Sequence, residues 1–261
     1  MCDADDRARK PRLRPFSRLR SEHKCRSGCW RSPTQTRESA AAVTGSAVAG
    51  GEDRWSDIDL SFGVADGVDP EVVLTDWTEL LTDELGVLHH WDLRRGATIY
   101  RVFLLPGGLE LDIAVTPAGE FGAHGPSFRL LFGKSVEHPP AAPASLDDMI
   151  GFGWLYALNA RGSIARGKLW QAEYWISGLR DQALALACLR AGEPAAYARG
   201  VDRLPRDMLA PYDNALVRSL DADELRRALT VAVEVFLAEV REVAPELAEL
   251  LEAPLRATAG S

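Results

Sequence analysis

Long apolar runs are absent from this 261-residue chain. Nothing in it approaches the roughly 18 consecutive apolar residues that would cross a bilayer as a helix. No apolar segment near the start reads as a secretion leader, which points to the cytoplasm. Cysteine is scarce. Cys25 and Cys29 lie near His23 but lack the second ligand pair of a zinc site, and Cys188, in LALACLRAG, reads as a small core residue. Several catalytic signatures are also missing. FGKS (132–135) ends like a phosphate-binding loop, but Phe128 stands where that pattern needs glycine. GFGWLY (151–156) closes on Tyr156 and opens no strand-to-helix turn, so it is no dinucleotide fingerprint. No Gly-x-Ser-x-Gly elbow occurs. His89 and His90 are neighbours in a strand, point to opposite faces and cannot form one site.

Basic charge is in short supply beyond the first 40 residues. Residues 1–40 hold 11 Lys and Arg against 5 Asp and Glu, whereas 41–261 hold 19 against 33, a net of −14. An acidic body repels nucleic-acid phosphates, which are normally neutralised by Lys and Arg. It attracts cationic small molecules and hydrated metal ions instead. With 46% hydrophobic and 26% charged residues, the chain can still build an ordinary globular core.

Three segments follow from the patterning. Residues 1–40 are rich in Arg and Ser without a period and are expected to form a disordered extension. Residues 41–140 carry strand signals: a first strand in AAAVTGS, then 57–64, about 87–93, 98–105 and 109–117. A helix over 70–86 opens on Pro70 and stops at Gly86. After the Pro/Ala linker at 138–144, residues 141–261 turn helical. Ser145 with Asp148 opens one helix, a long one is predicted over 164–190, and another over 221–243 is capped by Asp221 with Glu224 three residues on. The fold class is therefore α+β: a small mixed sheet with flanking helices, then an all-α bundle.

One stretch stands apart, VTGSAVAGGEDRWSDIDL (43–60). Asp57 and Asp59 sit one residue apart in a strand that otherwise alternates Ile58, Leu60, Phe62 and Val64 on one face. Residues i and i+2 share a strand face, so the two carboxylates converge. LELDIAVTP (109–117) alternates as well, and Asp112 on an adjacent strand, about 4.8 Å away, would complete a cluster. Three carboxylates so close cannot all ionise unaided. Mg²⁺ resolves this by taking carboxylate oxygens together with substrate phosphates. Two ions about 3.5–4 Å apart could clamp a triphosphate and an attacking hydroxyl. Backbone N–H groups after Gly45, with the Ser46 hydroxyl, would cradle phosphate at a helix N-terminus. A lone Asp-x-Asp reads as an exposed sheet face. Gly45, Ser46, Gly50 and Asp112 together favour a site.

Gly45-Ser46, then Gly50 and Ser56-Asp57-Ile58-Asp59-Leu60, resembles the signature of the nucleotidyltransferase superfamily related to DNA polymerase β. The family's third acidic residue matches Asp112, while Ala49 stands where Arg often precedes the second glycine. A sheet followed by a helical bundle is similar to the aminoglycoside and lincosamide nucleotidyltransferases. The resemblance implies transfer of a nucleoside monophosphate, AMP from ATP or from another triphosphate, to a hydroxyl of a small acceptor. It also implies two Mg²⁺ ions on Asp57, Asp59 and Asp112.

RGKLWQAEYWISGLRDQAL (166–184) resembles that family's first long C-terminal helix. On a helical wheel Arg166, Trp170, Glu173, Ser177 and Arg180 form one stripe, which reads either as a solvated face or as a contact surface. In the second reading Arg166 and Arg180 touch phosphate, and Glu173 or Asp112 takes the acceptor's proton. A cationic acceptor suits the acidic body. Oligomeric state is open, neither membrane nor nucleic acid is an expected partner, and RNA-directed nucleotide addition is disfavoured by charge. An antitoxin-like module binding or modifying a partner protein is the alternative, against which the helical half argues.

Overall fold

In a computed structural model of the chain, residues 37–48, 56–125, 127–139 and 145–259 are described. The Cys25/Cys29/His23 group, Ala49 and Gly50 lie outside them, as does the extension up to residue 36. The chain divides into two compact units, residues 1–141 and 142–261. The fold is α+β, a mixed sheet followed by helices.

The first unit holds a six-stranded sheet. Its strands are β1 (Glu38–Thr44), β2 (Ile58–Val64), β3 (His89–Arg95), β4 (Thr98–Leu105), β5 (Leu109–Pro117) and β7 (Phe128–Phe132), in spatial order β3-β4-β5-β2-β1-β7. Within this sheet only β2 and β5 run parallel. Short β6 (Gly122–Ala123) and β8 (Val136–Glu137) pair separately. Helix α1 (Pro70–Leu85) supplies the start of the crossover between the parallel strands. Asp69 caps it by accepting the Glu71 N–H, and Gly86 ends it in the left-handed conformation at φ 67°.

Alternation decides which sheet face is buried. Phe62, Val64, Ile99, Phe103, Leu111, Ile113 and Val115 pack with Val73, Leu74, Trp77 and Leu81 of α1. Charged groups near this core are partnered. Arg101 grips Asp92 through two bonds of 2.6 and 2.7 Å and reaches the Leu74 carbonyl and Thr78 hydroxyl of α1. The sheet begins three residues before the expected start at 41. Arg37 pairs with Asp76, and the buried Glu38 carboxylate accepts the Trp77 indole N–H at 2.8 Å, so these residues anchor β1 to α1.

The second unit contains α2 (Leu146–Ala165), α3 (Leu169–Arg190), α4 (Arg206–Asp213), α5 (Ala222–Val243) and α6 (Pro245–Ala259). Ser145 caps α2 by accepting the Asp148 N–H at 3.1 Å, as the pattern predicts. The single helix expected over 164–190 is instead broken. Gly167 adopts φ 67°, its N–H bonds the Ile164 carbonyl, and the Lys168 N–H bonds that of Ser163. That double closure ends α2, and α3 starts afresh. The predicted face of α3 is buried as expected, through Ala172, Ile176, Leu179, Ala183 and Leu186, and Cys188 is buried too. Asp221 precedes α5 but makes no side-chain cap; its carboxylate accepts from the Ser219 hydroxyl, while Glu224 accepts the Arg218 N–H. No helix among the described residues is long and apolar enough to cross a membrane.

Gly153 of α2 shows how tightly this bundle is packed. A Cβ there would lie 2.1 Å from the Phe236 ring, which is fully buried on α5. Gly153→Ala should therefore destabilise by about 1–3 kcal/mol, the usual cost of overpacking. Denaturant unfolding of the purified variant checks this, and an unchanged midpoint would refute the packing.

Candidate active site

The parallel pairing of β2 with β5 fixes the site. Asp59 is the register partner of Asp112, so the two carboxylates leave neighbouring strands side by side, on the face opposite α1. Asp57 lies one residue before β2 begins and is exposed. The alternation expected over 57–64 thus holds from Ile58 onward. Asp57 lies at the rim of the cluster, near enough for its charge to raise the Asp112 carboxyl.

Gly45 is the fourth member. It adopts φ 69° at the end of β1, and a Cβ there would sit 1.9 Å from Asp59 Oδ2. Any side chain at this position would collide with the carboxylate. The glycine is therefore a steric condition for Asp59's placement as well as a turn residue. The turn Gly45–Val48 follows directly. The backbone of Ser46 belongs to this turn, whereas its side chain lies outside what is described.

Electrostatics single out Asp112. Its Oδ1 is buried and accepts no hydrogen bond. Burial first, then the negative charges of Glu110, Asp59 and Asp57, push its carboxyl up to about 7. Each of these causes acts in the same direction, and among the described residues no cation offsets them. An orphaned carboxylate oxygen of this kind is costly unless a cation or proton meets it.

Among the described residues no group of three His, Cys, Asp or Glu is placed to hold a metal ion. The three aspartates do not close into an all-protein cage. Mg²⁺ does not demand one, since it is commonly held by one or two carboxylates plus waters and substrate phosphates. The Asp59–Asp112 pair, all hard oxygen donors with one oxygen unsatisfied, fits such an ion.

The remaining predicted residues lie in the second unit. Arg166 is not on the α3 stripe, because the break at Gly167 leaves it as the C-cap of α2, where it donates to the Gly162 carbonyl at 2.9 Å. On α3, Trp170 is 77% exposed, Glu173 accepts the Ser177 hydroxyl at 2.7 Å, and Arg180 pairs with Asp181 at 3.1 Å. Thr44, Ser61, Tyr100 and Ala114, which border the carboxylates on the same sheet side, went unassigned in the sequence. The alternation of Thr98 and Tyr100 with Ile99 and Arg101 was the signal available for β4.

No protein-family model and no curated protein sequence matches the chain. Among solved structures, the crystal structure of an aminoglycoside 6-adenyltransferase from Bacillus subtilis is similar at 12% identity. That match covers 86% of this chain and 93% of the other, with a TM-score of 0.40. A likeness of that degree fixes neither reaction nor substrate.

The raised Asp112 carboxyl makes the metal-free protein pH-sensitive. Between about 4 and about 7 the folded state keeps a proton that the unfolded state releases, so stability falls as pH rises through this window. Asp112→Asn has no such proton to lose. In chelator, the melting temperature of Asp112→Asn relative to the natural chain should climb from pH 4 to pH 7 and then level off. A difference that stays constant across that range would contradict the site's electrostatics.

Proposed function

We propose that the chain is a metal-dependent nucleotidyltransferase that moves a nucleoside monophosphate, AMP from ATP or its equivalent from another triphosphate, to a hydroxyl of a small acceptor. The observation that carries this reading is the unsatisfied Asp112 oxygen beside Asp59, with Gly45 stripped of a side chain to admit the carboxylate. Such an arrangement is poorly explained as a stabilising one. It suits a place where a cation arrives with phosphate.

Asp59 and Asp112, with Asp57 at the rim, are the residues that would hold Mg²⁺ together with substrate phosphate. Bound there, Mg²⁺ would neutralise the carboxylates and offset charge developing on the phosphates. The chain's own groups do the rest. Backbone N–H groups of the turn at Gly45–Val48 would receive phosphate oxygens. The acceptor hydroxyl oxygen bonds to the α-phosphorus as the bond to the β-phosphate oxygen breaks, and pyrophosphate leaves. The hydroxyl proton passes to Glu173 or to Asp112. The net charge of −14 over residues 41–261 favours an acceptor that carries positive charge.

Asp57→Asn and Asp59→Asn should each lower Mg²⁺-dependent release of pyrophosphate from ATP by at least about 100-fold, since even outer-shell partners of a metal are worth 10–100-fold. The assay is run against a panel of aminoglycosides, lincosamides and cellular metabolites, with folding checked by circular dichroism. Near-natural turnover in either folded variant would sink the site assignment.

Glu173 is tested separately. If it is the general base, Glu173→Gln should cost about 10²–10⁴-fold in turnover while nucleotide binding is kept. Full turnover in that variant would move the role to Asp112 and leave the aspartate assignment standing.

A further inference from the structure

Beside the carboxylates, on their side of the sheet, lies a cavity of about 210 Å³. Its floor is Thr44, Ser61, Tyr100, Ala114 and Thr116, and its cover comes from the segment bearing Phe121 and His124. The strand register explains the placement. Ser61 and Ala114 are partners on β2 and β5, two residues beyond Asp59 and Asp112, and Tyr100 of β4 is the partner of Ala114. Two residues along a strand are about 7 Å. The cavity therefore begins about one ribose length from the paired carboxylates.

Its chemistry is selective. None of these lining residues carries a formal charge at neutral His. Thr98 and Thr116 satisfy each other through hydroxyls 2.9 Å apart. Among the described residues, by contrast, the hydroxyls of Thr44, Ser61 and Tyr100 have no hydrogen-bond partner. Three open hydroxyls meet one cavity whose cover includes the buried Phe121 ring. Apolar walls with a few convergent polar groups are the usual make-up of a small-molecule site. A triphosphate would be rejected by the lack of cations, and an ammonium by the lack of anions. What fits is an uncharged planar ring with donors and acceptors on its edge.

We infer that this cavity receives the base of the nucleoside triphosphate whose phosphates engage Gly45 and the aspartates. The inference rests on the nucleotidyltransferase reading and adds to it a base subsite floored by Ser61, Tyr100 and Ala114. Hydroxyls can donate or accept, so at fixed positions they can pair with the edge of a base whose groups lie opposite them. The subsite also gives the chain a means of ranking nucleotides, because a buried hydroxyl left unpaired by the wrong base costs affinity.

The test is calorimetric binding of two probes in Mg²⁺: α,β-methylene ATP, with its guanine, cytosine and uracil counterparts, and inorganic tripolyphosphate. The natural chain is compared with Ala114→Leu, which fills the cavity, and with Tyr100→Phe, which removes one hydroxyl. Melting curves confirm that each variant is folded. Ala114→Leu should weaken every nucleotide at least about tenfold and leave tripolyphosphate unchanged. Tyr100→Phe should shrink the spread of affinities among the four bases. If both variants bind nucleotide as the natural chain does, the base subsite is wrong while the phosphate site stands. If filling the cavity weakens tripolyphosphate equally, the cavity acts on the phosphate site and the inference is again overturned. If the natural chain binds neither probe, the transferase reading fails, and the subsite with it.

Discussion

Two carboxylates set side by side across a parallel strand pair are the constraint around which the first unit is arranged. Parallel strands cannot be joined by a tight turn, so β2 and β5 need a long crossover, and α1 with the β3–β4 hairpin provides it. The same helix buries the far face of the sheet, freeing the near face for polar groups. Gly45 must then lack a side chain, because Asp59 occupies the space a Cβ would take. Strand order, helix placement and one glycine all answer to the same pair of acids.

Other charged groups in the molecule show how differently it treats structural polarity. Arg101 is held by Asp92, Thr78 and a helix carbonyl. Glu239, nearly buried in the helical unit, receives two bonds from Arg190 and one from the Tyr212 hydroxyl. Each of these costs little because a partner is built in. Among the described residues Asp112 Oδ1 accepts no hydrogen bond, and the charges that act on its carboxyl are all acids. That contrast argues for function more strongly than the presence of aspartates alone.

Much of this was legible beforehand. Period-two alternation placed Asp59 and Asp112 on a common face, and helix signals at Pro70, Gly86 and Ser145 marked real boundaries. The failures have local causes. An apolar face repeating through 164–190 concealed a break, because one glycine in the left-handed conformation stops a helix without disturbing the period. Arg166 was thereby placed on the wrong element. Asp221 read as a cap, but Ser219 took its carboxylate. The start of β1 was hidden by its polar first residues, which are tolerated only because Asp76 and Trp77 of α1 meet them. The cover carrying Phe121 and His124 had no period to read, since its strands are two residues long.

An acidic cluster of this kind ties stability to ligand. In the free protein a proton on Asp112 eases its repulsion with Asp57, Asp59 and Glu110, and that relief fades as pH passes about 7. A cation that binds the folded cluster and not the unfolded chain removes the same repulsion and stabilises the fold by mass action. The apolar packing of the far face, from Phe62 and Ile113 to Trp77, must therefore be strong enough to hold the sheet while the near face is unneutralised. A sheet with one well-packed side and one electrostatically strained side is what a site for a charged ligand requires. The strain keeps the carboxylates available, and the packing keeps them in register.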